Sequence, residues 1–82
     1  MAPVKMYTLS TCGHCRSTKS FMKTCGAPFE AVDVDLLEGH EREKALAEVR
    51  AVNPRLSFPT IIIGDTVIVG FKEAEIREAL GL

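Results

Sequence analysis

Cys12 and Cys15, in the string Cys12-Gly13-His14-Cys15, are the residues best suited to chemistry in this 82-residue sequence. A thiolate attacks a disulfide sulfur to form a mixed disulfide, which a second thiol within reach can break. Residues three apart on a helix share one face, about 4.5 Å apart along the axis, which suits the roughly 4.4 to 6.8 Å Cα separation of a disulfide. The pair can therefore open and close with little backbone movement. Cys12, at a helix start, would face unsatisfied backbone N–H groups and the positive end of the helix dipole, both of which favour thiolate over thiol. Cys12 is thus expected to attack a substrate disulfide and Cys15 to release it, leaving Cys12–Cys15 oxidised and the substrate reduced, with no cofactor required. The competing interpretation, two buried small hydrophobes, sits badly with a cysteine at an exposed strand-to-helix corner.

His14 has two readings. Partial positive charge on its ring would favour the thiolate and make the couple more oxidising than that of thioredoxin, about −270 mV; otherwise it is an exposed surface histidine. Cys25 lies thirteen helical residues beyond Cys12, roughly 20 Å away at about 1.5 Å per residue, too far to join the exchange. It reads as core or helix-end filler. A closed zinc or iron–sulfur site needs about four protein ligands, more than this one turn supplies, so no metal residues are assigned. Two alternatives use the same cysteines: a small Cu(I) chaperone, of strand order βαββαβ, and an iron–sulfur carrier with its cluster shared between two subunits.

The elements that must position this pair follow from the pattern around it. Val4 to Thr8 favours a first strand, and Cys12 to Cys25 a helix ended by Gly26 and Pro28. Phe29 to Val34 alternates apolar and acidic residues as a second strand does, and His40 to Val52 carries Leu46 and Val49 on one helical stripe before Asn53-Pro54. Its charged residues Glu41, Arg42, Glu43, Lys44, Glu48 and Arg50 read as a solvated face. Thr60 to Ile63 and Thr66 to Val69 flank Gly64-Asp65, a pair suited to a type II′ hairpin turn. Lys72 to Leu80 is a last helix, with Glu73 and Arg77 one turn apart and Gly81 as its stop. The order βαβαββα calls for a parallel crossover followed by an antiparallel hairpin in one four-stranded mixed sheet flanked by three helices. The run Ile61-Ile62-Ile63 suits a strand buried on both sides.

Composition narrows the function classes. The length allows one domain over residues 1–82, and 46% hydrophobic with 26% charged residues is an ordinary globular mix. Ten basic against eleven acidic residues give a net charge of −1 and no basic stripe, so nucleic acid is not an expected partner. No apolar run approaches the roughly 20 residues of a membrane span, and Met1-Ala2-Pro3-Val4-Lys5 lacks the pattern of an export signal, so a cytoplasmic protein is expected. Three cysteines do not read as a disulfide framework.

Taken in order, Tyr7-Thr8, the Cys12-to-Cys15 pair, Phe58-Pro59-Thr60 and Val69-Gly70-Phe71 make nearly the whole chain resemble a glutaredoxin of the thioredoxin-fold superfamily. The resemblance implies a cis Pro59 packed beside the cysteines, with Phe58, Pro59 and Thr60 forming a backbone edge that holds the substrate thiol as an added strand. It also implies that Tyr7, His14, Gly70 and Phe71 frame the substrate groove, with Tyr7 and Phe71 alternatively read as core. Leu9 stands where many glutathione-using relatives have Lys or Arg, and Gly70-Phe71-Lys72-Glu73 stands where they have paired glycines followed by Asp. The Gly70-Phe71 form is closer to redoxins that serve ribonucleotide reductase and draw electrons from thioredoxin reductase, whereas Cys-Gly-His-Cys is the string of protein disulfide isomerases. Lys5, Arg16, Lys19 and Lys72 are candidate positive charges near the site. The expectation is a monomeric dithiol-disulfide oxidoreductase acting on protein disulfides or glutathione mixed disulfides. Glutathione would be a co-substrate at most, and either glutathione or thioredoxin reductase would supply the electrons.

Overall fold

The computed structural model describes residues 2–82; Met1, the first residue of the stretch read for an export signal, lies outside them. Strand β1 (Val4–Thr8) turns Val4 and Met6 to one face of the sheet and Tyr7 to the other. Helix α1 (Gly13–Thr24) buries Cys15, Thr18 and Met22, residues at helical spacing on one stripe. Its C-terminus closes as the glycine predicts: Gly26, at φ 69°, donates to Lys23 O and Ala27 to Met22 O, the paired bonds of a Schellman motif.

Strand β2 (Glu30–Asp33) runs parallel to β1, with Thr8 opposite Asp33. The alternation in the sequence, read over Phe29 to Val34, overruns this strand by one residue at each end. Because β1 ends at Thr8, Val34 has no backbone to pair with, and the chain tightens into a 3₁₀ turn over Val34–Leu36. Helix α2 (Gly39–Val52) has no side-chain cap at its start and buries Ala45 and Val49. Strands β3 (Thr60–Ile63) and β4 (Thr66–Val69) form the hairpin, and Gly64 at φ 58° followed by Asp65 at negative φ is the II′ combination. Helix α3 (Glu73–Leu80) stops at Gly81, at φ 79°. The expected Glu73–Arg77 ion pair is not among those of the described residues; Lys72 instead reaches Glu75 at 3.9 Å.

The sheet order is β2-β1-β3-β4, parallel between β1 and β2 and antiparallel elsewhere. One face meets α1 and α3 through Val4, Met6, Met22, Ile61, Ile63, Ile68, Ile76 and Leu80. The other meets α2 through Tyr7, Val34, Ala45 and Val49, with Ile62 packed against them. The isoleucine run thus alternates between two cores, as a strand covered on both faces requires, and each fully buried side chain of this kind contributes about 1.5–3 kcal/mol. The chain ends on a helix, unlike the βαββαβ order of the copper-chaperone alternative.

Candidate active site

Cys12 occupies the corner where β1 hands over to α1. It is the N-cap of α1, with extended backbone (φ −86°, ψ 120°), and its Sγ accepts a hydrogen bond from the Cys15 backbone N–H at 3.2 Å. Sulfur therefore fills the capping role usually taken by a Ser, Thr, Asp or Asn oxygen. The approach from β1 is fixed on both sides. The Cys12 N–H donates to Leu9 O at 3.1 Å, and the Ser10 N–H donates to the Asp35 carboxylate at 2.9 Å.

The two thiols are free and sit in opposite environments: Cys15 is 1% exposed, whereas Cys12 is half-buried. Burial alone would push Cys12 up, but the Cys15 thiol and N–H, the His14 N–H and the Arg16 charge outweigh it and hold its pKa below the ordinary 9.0. For Cys15, burial and the hydrogen bond to Cys12 push the pKa up to about 12, against smaller opposing effects from the Leu9 backbone and the Lys19 charge. Cys12 is the sulfur disposed to ionise and Cys15 the one disposed to keep its proton. What position 14 contributes to this is its backbone N–H, while the side chain of His14 lies in solvent.

One turn beyond Cys15, Lys19 Nζ lies 3.0 Å from Asp33 Oδ1, and the Thr8 hydroxyl donates to the same carboxylate at 2.6 Å. The Thr8 hydroxyl and then Lys19 hold the Asp33 carboxyl below the usual carboxylate range. Of the four cations considered from sequence, Arg16 and Lys19 stand near the cysteines. Lys5 pairs instead with Glu30 and Glu48 at 3.8 and 3.6 Å, and Lys72 with Glu75.

The Phe58–Pro59 peptide is cis, and Pro59 is buried. Asn53, at the end of α2, holds this loop by donating from Nδ2 to Ser57 O, Ser57 Oγ and Thr60 Oγ1, each at 3.1 Å. Gly70 N–H donates to Pro59 O at 2.8 Å, so the turn after β4 is tied to the same loop. Among the described residues, neither the N–H nor the C=O of Phe58 has a partner, which leaves one backbone site open to an added strand.

Thr60 departs from the expectation drawn from the resemblance. It is fully buried, its backbone lies between Tyr7 and Val69 in the sheet, and its hydroxyl donates to Ser57 O, so it offers no free edge. Tyr7 is also core, 2% exposed, with its hydroxyl donated to Glu48 on α2. Its ring faces the α2 layer because residue alternation along β1 sends it there, opposite Met6. Phe71 is half-buried and meets Phe21 edge to face, with ring centroids 5.7 Å apart.

The sequence matches the family model for glutaredoxin over residues 4–68. The chain belongs to the glutaredoxin family. Among solved structures it is similar to the glutaredoxin from Methanosarcina mazei Go1, at 55% identity over 99% of this chain and 80% of that one, with a TM-score of 0.91. It is similar to methanoredoxin from Methanosarcina acetivorans at 50% identity, covering 99% of this chain and 86% of that one, with a TM-score of 0.94. The glutaredoxin-like NrdH-redoxin from Escherichia coli is 30% identical over 93% of this chain and 92% of that one, with a TM-score of 0.77. Glutaredoxin membership makes this a redox protein with the thioredoxin-like fold, in keeping with the free thiols at the head of α1.

Within this glutaredoxin, Asn53, Asp33 and Asp35 have no site role assigned from the sequence, and Thr8 enters there only as part of the Tyr7-Thr8 motif. Asn53-Pro54 reads as a helix stop and Asp33 as the polar half of an alternating strand. A polar side chain at the very end of β1 and another directly after α2, both flanking the proposed site, were the available signals.

Proposed function

We propose that this protein is a dithiol-disulfide oxidoreductase that reduces protein disulfides, including mixed disulfides with glutathione, through Cys12 and Cys15. The observation that carries the reading is the opposed ionisation of two thiols one helical turn apart, Cys12 lowered and Cys15 raised to about 12. The Cys12 thiolate attacks one substrate sulfur, the substrate S–S bond breaks, and the departing thiolate takes a proton from water. Cys15 then gives up its proton and attacks the Cys12 sulfur. The Cys12–substrate bond breaks, the second substrate thiol leaves, and two electrons have passed from the dithiol to the substrate. Substrate backbone pairs with Phe58 while its sulfur lies over Cys12.

Thioredoxin reductase is the proposed electron source. Leu9 stands where many glutathione-using relatives carry Lys or Arg, Gly70-Phe71 replaces their paired glycines, and NrdH-redoxin, a glutaredoxin-like protein, has a thioredoxin-like activity profile. The protein would work as a monomer in the cytoplasm, with no tightly bound cofactor; no described helix is long and apolar enough to cross a membrane. NADPH consumption with a protein disulfide tests the reading, first with thioredoxin reductase and then with glutathione plus glutathione reductase. Turnover in the first arm supports both the activity and the donor. Turnover only in the second overturns the donor, and turnover in neither overturns the activity.

A further inference from the structure

We propose that the exposed stripe of α1 is a substrate-docking groove that selects disulfide proteins with acidic residues on one side of the target cysteine; this rests on the disulfide-exchange reading above. An open groove of about 610 Å³ begins at Gly13, beside Cys12, and continues along Arg16, Ser17, Ser20, Phe21 and Thr24. These positions recur every three to four residues and so form one unbroken face. Nothing lies within 4 Å of where a Gly13 Cβ would stand, so the groove is open at its cysteine end.

Charge decides what fits. No Asp or Glu occurs before Glu30, and all eleven lie from that residue onward, although the chain as a whole is net −1. The groove therefore has no carboxylate in its lining. Arg16 lines it, and Lys23, exposed two turns further along the same flank, borders it; among the described residues neither is in an ion pair, whereas Lys19, between them on that flank, is already held by Asp33. Among the described residues the Ser17 and Ser20 hydroxyls have no hydrogen-bond partner, and they add hydrogen-bonding capacity. An anionic partner meets complementary charge here with nothing to displace.

Spacing fixes the register. Along the axis Arg16 stands about 6 Å from Cys12 and Lys23 about 16 Å, which an extended peptide at about 3.3 Å per residue spans in about 2 and about 5 residues. The preferred substrate carries Asp or Glu at those two distances from its cysteine, along the arm leading away from Phe58.

The test uses pre-reduced protein in single turnover with synthetic peptides, each bearing one cysteine as a mixed disulfide with 2-thiopyridine. Cys12 attacks the peptide sulfur, the bond to the pyridine thiol breaks, and released pyridine-2-thione is read by absorbance. Peptides with Asp, Ser or Lys at the two positions are compared, with each arm tried in turn. The acidic peptide should react about tenfold faster than the lysine peptide at low salt, the margin shrinking as the screening length falls below about 8 Å. Lys23→Glu should remove most of that margin, whereas Arg50→Glu, on α2, should leave the rates of all three peptides unchanged. Should Lys23→Glu disturb folding, Ser20→Glu makes the same test within the groove. Equal rates for the three peptides, or a margin indifferent to these substitutions, overturn the docking groove alone. Failure of every peptide to react overturns the disulfide-exchange reading beneath it.

Discussion

Beneath α1 and α3 the sheet buries Met6, Ile61, Ile63 and Ile68 against Met22, Ile76 and Leu80, whereas beneath α2 the same strands meet Tyr7 with its hydroxyl on Glu48 and Thr60 bonded to Asn53. The first layer is held by shape and apolar contact, which are non-directional. The second has its own apolar contacts around Val34, Ala45, Val49 and Ile62 and is in addition stitched by hydrogen bonds with defined donors and acceptors. The site takes one half from each: the cysteines ride on α1 above the apolar layer, and the cis-proline loop hangs from Asn53 on the α2 side. Packing seats α1, hydrogen bonds at its start hold Cys12, and the Asn53 bonds hold the loop proposed to receive the substrate.

Variants on either side should separate these contributions. Cys12→Ser should abolish disulfide exchange in the NADPH-linked assay without changing the unfolding midpoint. Cys15→Ser should still attack but stall as a mixed disulfide, detected as added mass. Ile61→Ala should destabilise by about 3 kcal/mol in denaturant titration, since a fully buried side chain leaves a cavity. Asn53→Ala should cost less, about 2 kcal/mol, yet reduce turnover more than Ile61→Ala does, because it releases the Ser57–Pro59 loop. Equal effects on turnover would erase the distinction between the two layers.

Acidity gives a further separation. A folded-state pKa raised to about 12 means that Cys15 stabilises the reduced protein below the ordinary thiol value of 9.0. That contribution is lost as pH rises from there toward 12, so reduced protein should weaken over this window in urea titrations and Cys15→Ala should lack the slope. Cys12, being lowered, should show alkylation rates that reach half-maximum below pH 9.0. The smallest effect is expected for Glu48→Gln, under about 1 kcal/mol, since that carboxylate is 39% exposed, with no change in Cys12 alkylation.

Much of this was legible in the residues. Glycines at 26, 64 and 81 mark breaks that the backbone makes at positive φ, and the isoleucine run places β3 between two layers. Cys12 at a helix start and Cys15 one turn later already imply unequal thiols. What stayed hidden depends on contacts distant in sequence. Tyr7 reaches Glu48 across 41 positions and Ser10 reaches Asp35 across 25, and no local pattern reports such pairs. The strand at Val34 failed for a related reason, since its length was set by the partner strand ending at Thr8. Thr60 carries over from the resemblance as part of a free edge, but it is the first residue of the interior strand β3 and its backbone lies between Tyr7 and Val69.

The bond from Gly70 N–H to Pro59 O joins two stretches that seem independent when read along the chain. The two segments are therefore coupled through their backbones. A substitution at 70–72 that shifts the Gly70 backbone should also loosen the anchorage of 57–59, so the stability effects of changes in the two segments should not add.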